Sequence, residues 1–266
     1  MLYFNLRFLT LLSLLLSFDA YAQRYRNGVT ELGLFFGASN YSGDIAPEIV
    51  WAESHPAIGL MYKYHHSKFF SSRYQFTYAS ISGSDQNFSA NAYRNISFES
   101  NIYELGYNLE FNFKPFGINA NQHEENKTTF VFAGFNMFMF NPVRRLPSGD
   151  KLELRDIGTE GQNVNNKRQY ALIQPSLTLG LGYKFNVKRR TVIGLEIGFR
   201  KTFTDYLDDT KDAYPDYNSI KTYQGGSAAD LSQPQTVNNN PAIDGKTMRG
   251  DKHLKDWYFI TGLTIS

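Results

Sequence analysis

The strongest constraint on this chain is a strict two-residue alternation of apolar and small or polar side chains, sustained over runs of nine or more residues. Successive side chains of a β-strand point to opposite faces, so such a run defines a strand with one greasy and one polar side. Between Asn101 and Phe113, Tyr103, Leu105, Tyr107, Leu109, Phe111 and Phe113 share one face, and Ile102, Glu104, Gly106, Asn108, Glu110 and Asn112 the other. Gln174–Phe185 and Val192–Arg200 repeat the split. Weaker runs lie at Thr30–Asn40, Pro56–His65, Phe69–Ser80 and Trp257–Ile265, and Thr128–Phe140 is apolar on both faces. The total is eight strands.

The connections alternate in length. Long polar segments follow the odd strands, at Tyr41–His55, Ile81–Ser100, Asn141–Gln169 and Leu207–Asp256. Short ones follow the even strands, at His66–Lys68, Lys114–Lys127 and Asn186–Arg190. A tilted strand needs about 9–11 residues to span a bilayer, and several runs have that length. Strands of this length, with long loops at one end and short turns at the other, predict an eight-stranded antiparallel up-and-down transmembrane β-barrel. Its termini lie on the periplasmic side. Residues Met1–Ala22 carry Arg7, an apolar run Phe8–Leu16 and Ala20-Tyr21-Ala22, the pattern of a signal peptide cleaved after Ala22, which leaves 23–266 as the outer-membrane barrel domain. The last loop, rich in Asn, Gly, Pro and Asp, is the segment expected to be mobile.

An eight-stranded barrel has room inside only for side chains. The face opposite the apolar one carries glycines 33, 37, 59, 106, 180, 182, 194, 198 and 262, with Glu31, Lys63, Arg73, Glu104, Glu110, Lys184, Glu196 and Arg200. Four acids meet four bases, and unpaired buried charge is costly. These residues are expected to form a lumen charge network that closes the barrel rather than lining a pore. Aromatics near strand ends (Tyr62, Tyr64, Tyr74, Tyr103, Phe113, Tyr183, Phe185, Phe199, Trp257, Tyr258) suit interfacial girdles. The alternation also fits a soluble secreted β-barrel binding protein with its apolar face inward, and a barrel enzyme acting on lipid or protein is a third reading.

The chain has no cysteine, which excludes disulfides, thiolate metal sites and a lipidated N-terminal Cys. A formal net charge of +2 gives no reason to expect nucleic acid. The five histidines, His55, His65, His66, His123 and His253, read as solvated surface residues. Asp205, Asp208 and Asp209 lack the ligand spacing and turn glycine of a calcium loop and read as a solvated loop start. Gly158-Thr159-Glu160-Gly161-Gln162 has neither the context nor the Lys-Ser/Thr of a phosphate loop. No catalytic, cofactor-binding or metal-ligating set is expected.

Several stretches carry a family resemblance. They include Glu31-Leu32-Gly33, Ser39-Asn40-Tyr41-Ser42-Gly43-Asp44, Arg94–Phe98, Ile102–Leu105, Phe132-Ala133-Gly134, Phe140-Asn141-Pro142, Gly158–Gln162 and Asp256–Phe259. The most specific is Gly194–Asp209, with Lys201, Thr202, Asp205, Tyr206, Asp208 and Asp209. The chain resembles the PorG-like outer-membrane β-barrel proteins of the type IX secretion system. That resemblance implies a non-enzymatic subunit of a protein-export machine. Its implied partners are the outer-membrane bilayer, the periplasmic ring formed by a lipoprotein and its partner, and the inner-membrane motor. Asn40, Tyr41, Gly43, Asp44 and the Lys201–Asp209 residues are then motif or partner candidates. Ring contacts should use the turn end, through Lys114–Lys127, His66–Lys68, Asn186–Arg190 and the arm Gln23–Asn27. The chain departs from the usual barrel pattern in ending Leu263-Thr264-Ile265-Ser266 rather than on an aromatic residue, which bears on assembly.

Overall fold

A computed structural model describes residues 29–117, 125–146, 148–162, 164, 168–188, 191–238, 240–243, 245–251 and 255–266. Met1–Ala22, expected to be a signal peptide, the arm Gln23–Asn27, His123, His253 and parts of two turn-end connections lie outside the described residues.

The alternating runs form eight long strands: β1 (Val29–Ser42), β2 (His55–His65), β3 (Phe70–Ser84), β4 (Ser97–Asn112), β5 (Lys127–Met139), β8 (Ile173–Lys188), β9 (Thr191–Thr202) and β10 (Trp257–Ile265). Each is antiparallel to its chain neighbours, and β1 pairs with β10 from Leu34↔Ile265 to Ser42↔Trp257. With β3 paired to β4, the sheet closes and none of the eight has a free edge. Two short strands join this barrel, β6 (Pro142–Arg145) and β7 (Lys151–Glu153). They form a hairpin attached to the loop end of β4 at Glu99 and Ser100. β3 and β4 also run on past the apolar belt, pairing out to Ser84↔Ser97. No helix among the described residues is long and apolar enough to cross a membrane, and the strands are of crossing length.

The two faces of the sheet are inverted relative to a water-soluble protein. Leu105 and Leu179 are each 63% exposed on the outside, while Glu110 is fully buried and Arg200 is 5% exposed inside. Full burial of a leucine is worth about 1.5–3 kcal/mol, so a belt of outward leucines in water would forgo much of the driving force for folding. In hydrocarbon it forgoes nothing. The fold is therefore that of a membrane-spanning barrel, as the alternation predicts.

The lumen is filled differently from the sequence expectation of small residues and ions alone. β5, apolar on both faces, turns Phe130, Phe132 and Phe138 inward. Phe130 and Phe132 lie where Gly182 and Gly180 of β8 leave space, and a Cβ on Gly182 would fall 2.6 Å from the Leu195 carbonyl oxygen. Lys63 stands over the Phe130 ring at 5.7 Å and Arg73 over Phe132 at 5.2 Å, so the rings separate the ions and also solvate them. Tyr258, expected in an interfacial girdle, is instead buried in the lumen, because outward Trp257 forces its neighbour to the opposite face.

Replacing Gly182 by valine is expected to abolish folding, read as loss of the heat-modifiable fast band in electrophoresis. Gly226→Ala, at a position with open space, should fold normally.

Candidate functional site

Two polar clusters occupy the axis of the barrel. In the lumen, all eight predicted network residues face inward and are paired. Glu110 accepts from Lys184 and forms an ion pair with Lys63 at 3.2 Å. Glu31 lies 3.6 Å from Lys63 and 2.9 Å from His65. Arg73 grips Glu196 with both terminal nitrogens, at 2.5 and 2.6 Å, and Arg200 reaches Glu104 at 3.2 Å. Tyr258 donates to the same Glu104 carboxylate at 2.5 Å.

The second cluster sits above the lumen at the loop end, where the motif residues converge. Tyr41, at the end of β1, donates to Asp208 Oδ2 at 2.6 Å and faces Asp256 Oδ1 at 3.1 Å. Asp256 accepts from Leu207 N–H at 3.0 Å and Asp208 from Thr210 N–H at 2.9 Å. Gly43 allows this approach, since a Cβ there would collide with the Tyr41 hydroxyl and the Asp256 carboxylate. Asp209, in the left-handed region at φ 61°, accepts from Tyr170 at 2.8 Å and from Thr159. Tyr206 stacks on Tyr170 at 4.4 Å. Arg249 binds Glu160 at 2.9 Å and the Asp209 carbonyl at 2.5 Å. Arg94 joins Asp85 at 2.5 Å to the carbonyls of Arg249 and Asp44.

Asn40 holds the first loop through Val50 O at 2.8 Å, and Thr202 ties β9 to Asp256 O at 2.7 Å. Asp44 accepts from Asp251 N–H at 3.0 Å, and Asp205 pairs with Lys255 at 3.3 Å. Of the motif candidates only Lys201 stands apart, on the outer wall with its amine 4.5 Å from the Trp257 ring.

This geometry corrects three expectations. Asp205, Asp208 and Asp209 are buried rather than a solvated loop start, because the second half of the last loop folds back over them. That loop, expected to be mobile, carries helices Tyr217–Gln224 and Gly226–Ser232 packed on buried Ile220, Ala228 and Ala229. His65 is not a surface residue; it is buried between Glu31 and Ser71 Oγ, at 2.9 and 2.8 Å.

Burial raises the cap carboxyls. Asp209 is pushed up to about 7 by desolvation, with Glu160 adding to the rise and Arg249 opposing it. Asp44 rises to about 6, again through burial, while the Asp251 N–H and Arg94 oppose the rise. Asp208 and Asp256 rise well above the ordinary range through burial and carboxylate repulsion, from Asp44 on Asp208 and from Asp208 on Asp256. A phenol has one hydrogen, so Tyr41 can donate to only one of its two carboxyl neighbours.

Among the described residues no group of three or more His, Asp or Glu side chains could hold a metal. Among the described residues two serine–histidine–acid contacts occur. His65 joins Ser71 to Glu31, but Ser71 is fully buried on the lumen wall and Glu31 is shared with Lys63. At the loop end Ser82 bonds both His55 (2.7 Å) and Glu53, so the acid holds the serine and leaves the imidazole unoriented.

A closed barrel with its apolar belt outward and its ions paired inside is a membrane barrel of the outer-membrane kind. The chain belongs to the family described as a domain of unknown function, DUF6089, whose model matches residues 6–266. Similar solved structures include Ail, the attachment invasion locus protein of Yersinia pestis, at 10% identity and TM-score 0.40, covering 90% of this chain and 99% of that one. Neisserial surface protein A is similar at 7% identity and TM-score 0.44, covering 90% and 99%. OprG from Pseudomonas aeruginosa is similar at 7% identity and TM-score 0.39, covering 90% and 96%. No curated protein matches the chain.

Glu110→Gln leaves two buried lysines short of a counter-charge and should destabilise the barrel by about 3–5 kcal/mol, measured by urea unfolding in micelles; pairing it with Lys184→Met should recover part of the loss. The cap has its own pH dependence. The raised acids bind protons in the folded cap that the opened loop releases near the ordinary value of 3.8. Their stabilisation is complete below that value and is lost as pH rises through about 6 to 7. Proteolysis of the 207–256 loop should accelerate over that interval, by at most about tenfold per pH unit for each group. Asp209→Asn should flatten the upper part of the profile, and Asp216→Asn, at an exposed helix cap, should leave it unchanged.

Proposed function

We propose that this protein is a non-enzymatic outer-membrane subunit of a type IX protein secretion machine, docking by its turn end to the periplasmic ring of a lipoprotein and its partner. The observation that carries the reading is the paired lumen beneath a cap built from the motif residues. A barrel so filled is a rigid post, suited to positioning other components rather than to conducting or processing a substrate. The family resemblance of Asn40–Asp44 and Lys201–Asp209 supplies the particular machine.

The turn end has the character of a docking face. Phe116 anchors the connection between β4 and β5 across the lumen mouth, buried 4.7 Å from Lys184 and bonded through its N–H to the Lys68 carbonyl at 3.1 Å. This leaves Lys114, Glu125, Asn126 and Lys127 exposed as a charged rim. The inner-membrane motor is a further partner on this reading, and export follows from the leader at Met1–Ala22.

A photocrosslinking residue at Lys114 or Lys127 in intact cells should give adducts with a periplasmic protein, and the same probe at exposed Tyr223 on the loop end should not. Adducts from Tyr223 alone would reverse the docking side. Recovery of the protein in the soluble periplasmic fraction would defeat membrane insertion. Ser71→Ala and Ser82→Ala variants that fold should retain secretion; loss of secretion in either would revive an enzymatic reading.

A further inference from the structure

Lys201 is the one motif residue that the cap does not absorb. It faces outward on β9 between Phe199 and Phe203, so its ammonium originates within the apolar belt. Its amine donates to the Lys255 carbonyl at 3.1 Å and lies 4.5 Å from the Trp257 ring. Among the described residues no carboxylate lies within ion-pair distance of it. An ammonium at a hydrocarbon boundary needs either a counter-charge or a route to the headgroups, and the upward reach to Lys255 supplies only the route.

Beneath it the belt is dented. In the row Leu109↔Ala133↔Leu179↔Phe199, Ala133 offers a methyl group where its neighbours offer large side chains. The backbone at Gly134 and Thr178 forms the floor, and Trp257 and Lys201 form the loop-side end of a depression of about 700 Å³. A lipid-facing hollow in a bilayer is filled by acyl chain.

We propose that this depression, with Lys201 and Trp257 at its head, is a binding site for an anionic phosphate-bearing lipid of the loop-side leaflet. The acyl chain lies over Ala133, and the phosphate accepts from the Lys201 ammonium beside the Trp257 ring. Charge complementarity selects the occupant, because a cation set among aromatic side chains at a membrane interface matches a lipid phosphate and offers nothing specific to an apolar surface. The site rests on the barrel being embedded in lipid.

The test is native mass spectrometry of the full chain in detergent, titrated with dioleoylphosphatidylglycerol or dioleoylphosphatidylcholine. These lipids share their chains, and choline neutralises the phosphate of the second. Wild type should take its first phosphatidylglycerol molecule with about fivefold preference, the worth of one interfacial cation. Lys201→Gln should bring that ratio to about one. Ala133→Phe, which fills the hollow, should weaken both adducts, and Leu34→Phe elsewhere on the belt should change neither. An unchanged ratio in Lys201→Gln would overturn the site, as would adducts indifferent to Ala133→Phe, or a two-copy species that Ala133→Phe disrupts. If Ala133→Phe fails to show the heat-modifiable band, Lys201→Gln alone decides. Failure of membrane insertion would register separately, as protein recovered soluble without detergent.

Discussion

Everything in this molecule follows from the lumen having to accept four acids and four bases that the outer wall cannot. With leucine and aromatic side chains committed to lipid, the alternate positions of each strand must project into a space only about one layer of side chains across. Ions placed there are buried and must pair with one another, Glu31 with its register partner Lys63 and the others over intervening strands. Glu110 on β4 therefore meets Lys63 from β2 and Lys184 from β8, and Arg73 of β3 crosses to Glu196 of β9. The Glu110 contacts each bridge one intervening strand and Arg73–Glu196 bridges three, so together they fix the cross-section of the barrel as well as neutralising charge. A buried pair adds little net stability over an apolar substitute, but losing one partner is severe. The network specifies this barrel more than it strengthens it.

The glycines belong to the same constraint. Phe130 and Phe132 are too large for a lumen crowded with ions unless the strand beside them is bare, and their register partners Gly182 and Gly180 make it bare. The rings then lie against Lys63, Lys184 and Arg73 as well as the glycine backbone. Large residues on β5 sit beside small ones on β8, interdigitating as side chains do in a well-packed core. Here the packing also keeps like charges apart.

This division of labour explains which parts were legible in the sequence. Strand positions, and the outward face of Leu105, Leu179 and Leu195, follow from period two alone, because one face is apolar and the other is not. β5 is ambiguous because Phe130, Val131 and Phe132 are all apolar, and only pairing with the glycines of β8 decides which ring turns inward. Tyr258 was readable in principle, since Trp257 fixes the parity of β10. The β6–β7 hairpin is too short for its alternation to stand out, and its register depends on β4 extending past the membrane. The cap was least visible. Tyr41, Asp208 and Asp256 are separated by hundreds of residues or tens of them, and their polarity reads as solvation until the fold brings them together.

The plug and the cap are one continuous body. Tyr41 and Tyr258 are register partners on β1 and β10, and both are fully buried. Tyr258 reaches down to Glu104 and Arg200, while Tyr41 reaches up to Asp208 and Asp256. Asp256 lies two residues before Tyr258, so a single short stretch ends the last loop, opens the last strand and contributes to both clusters. The cap acids thus adjoin the strand pair that closes the barrel, the seam between its first and last strands. That seam also carries Trp257 on its lipid side, opposite Tyr258. Whatever engages the outer wall beside Lys201 acts on the same short segment as the cap, and the segment Asp256-Trp257-Tyr258 joins lipid face, loop cap and lumen through three consecutive side chains.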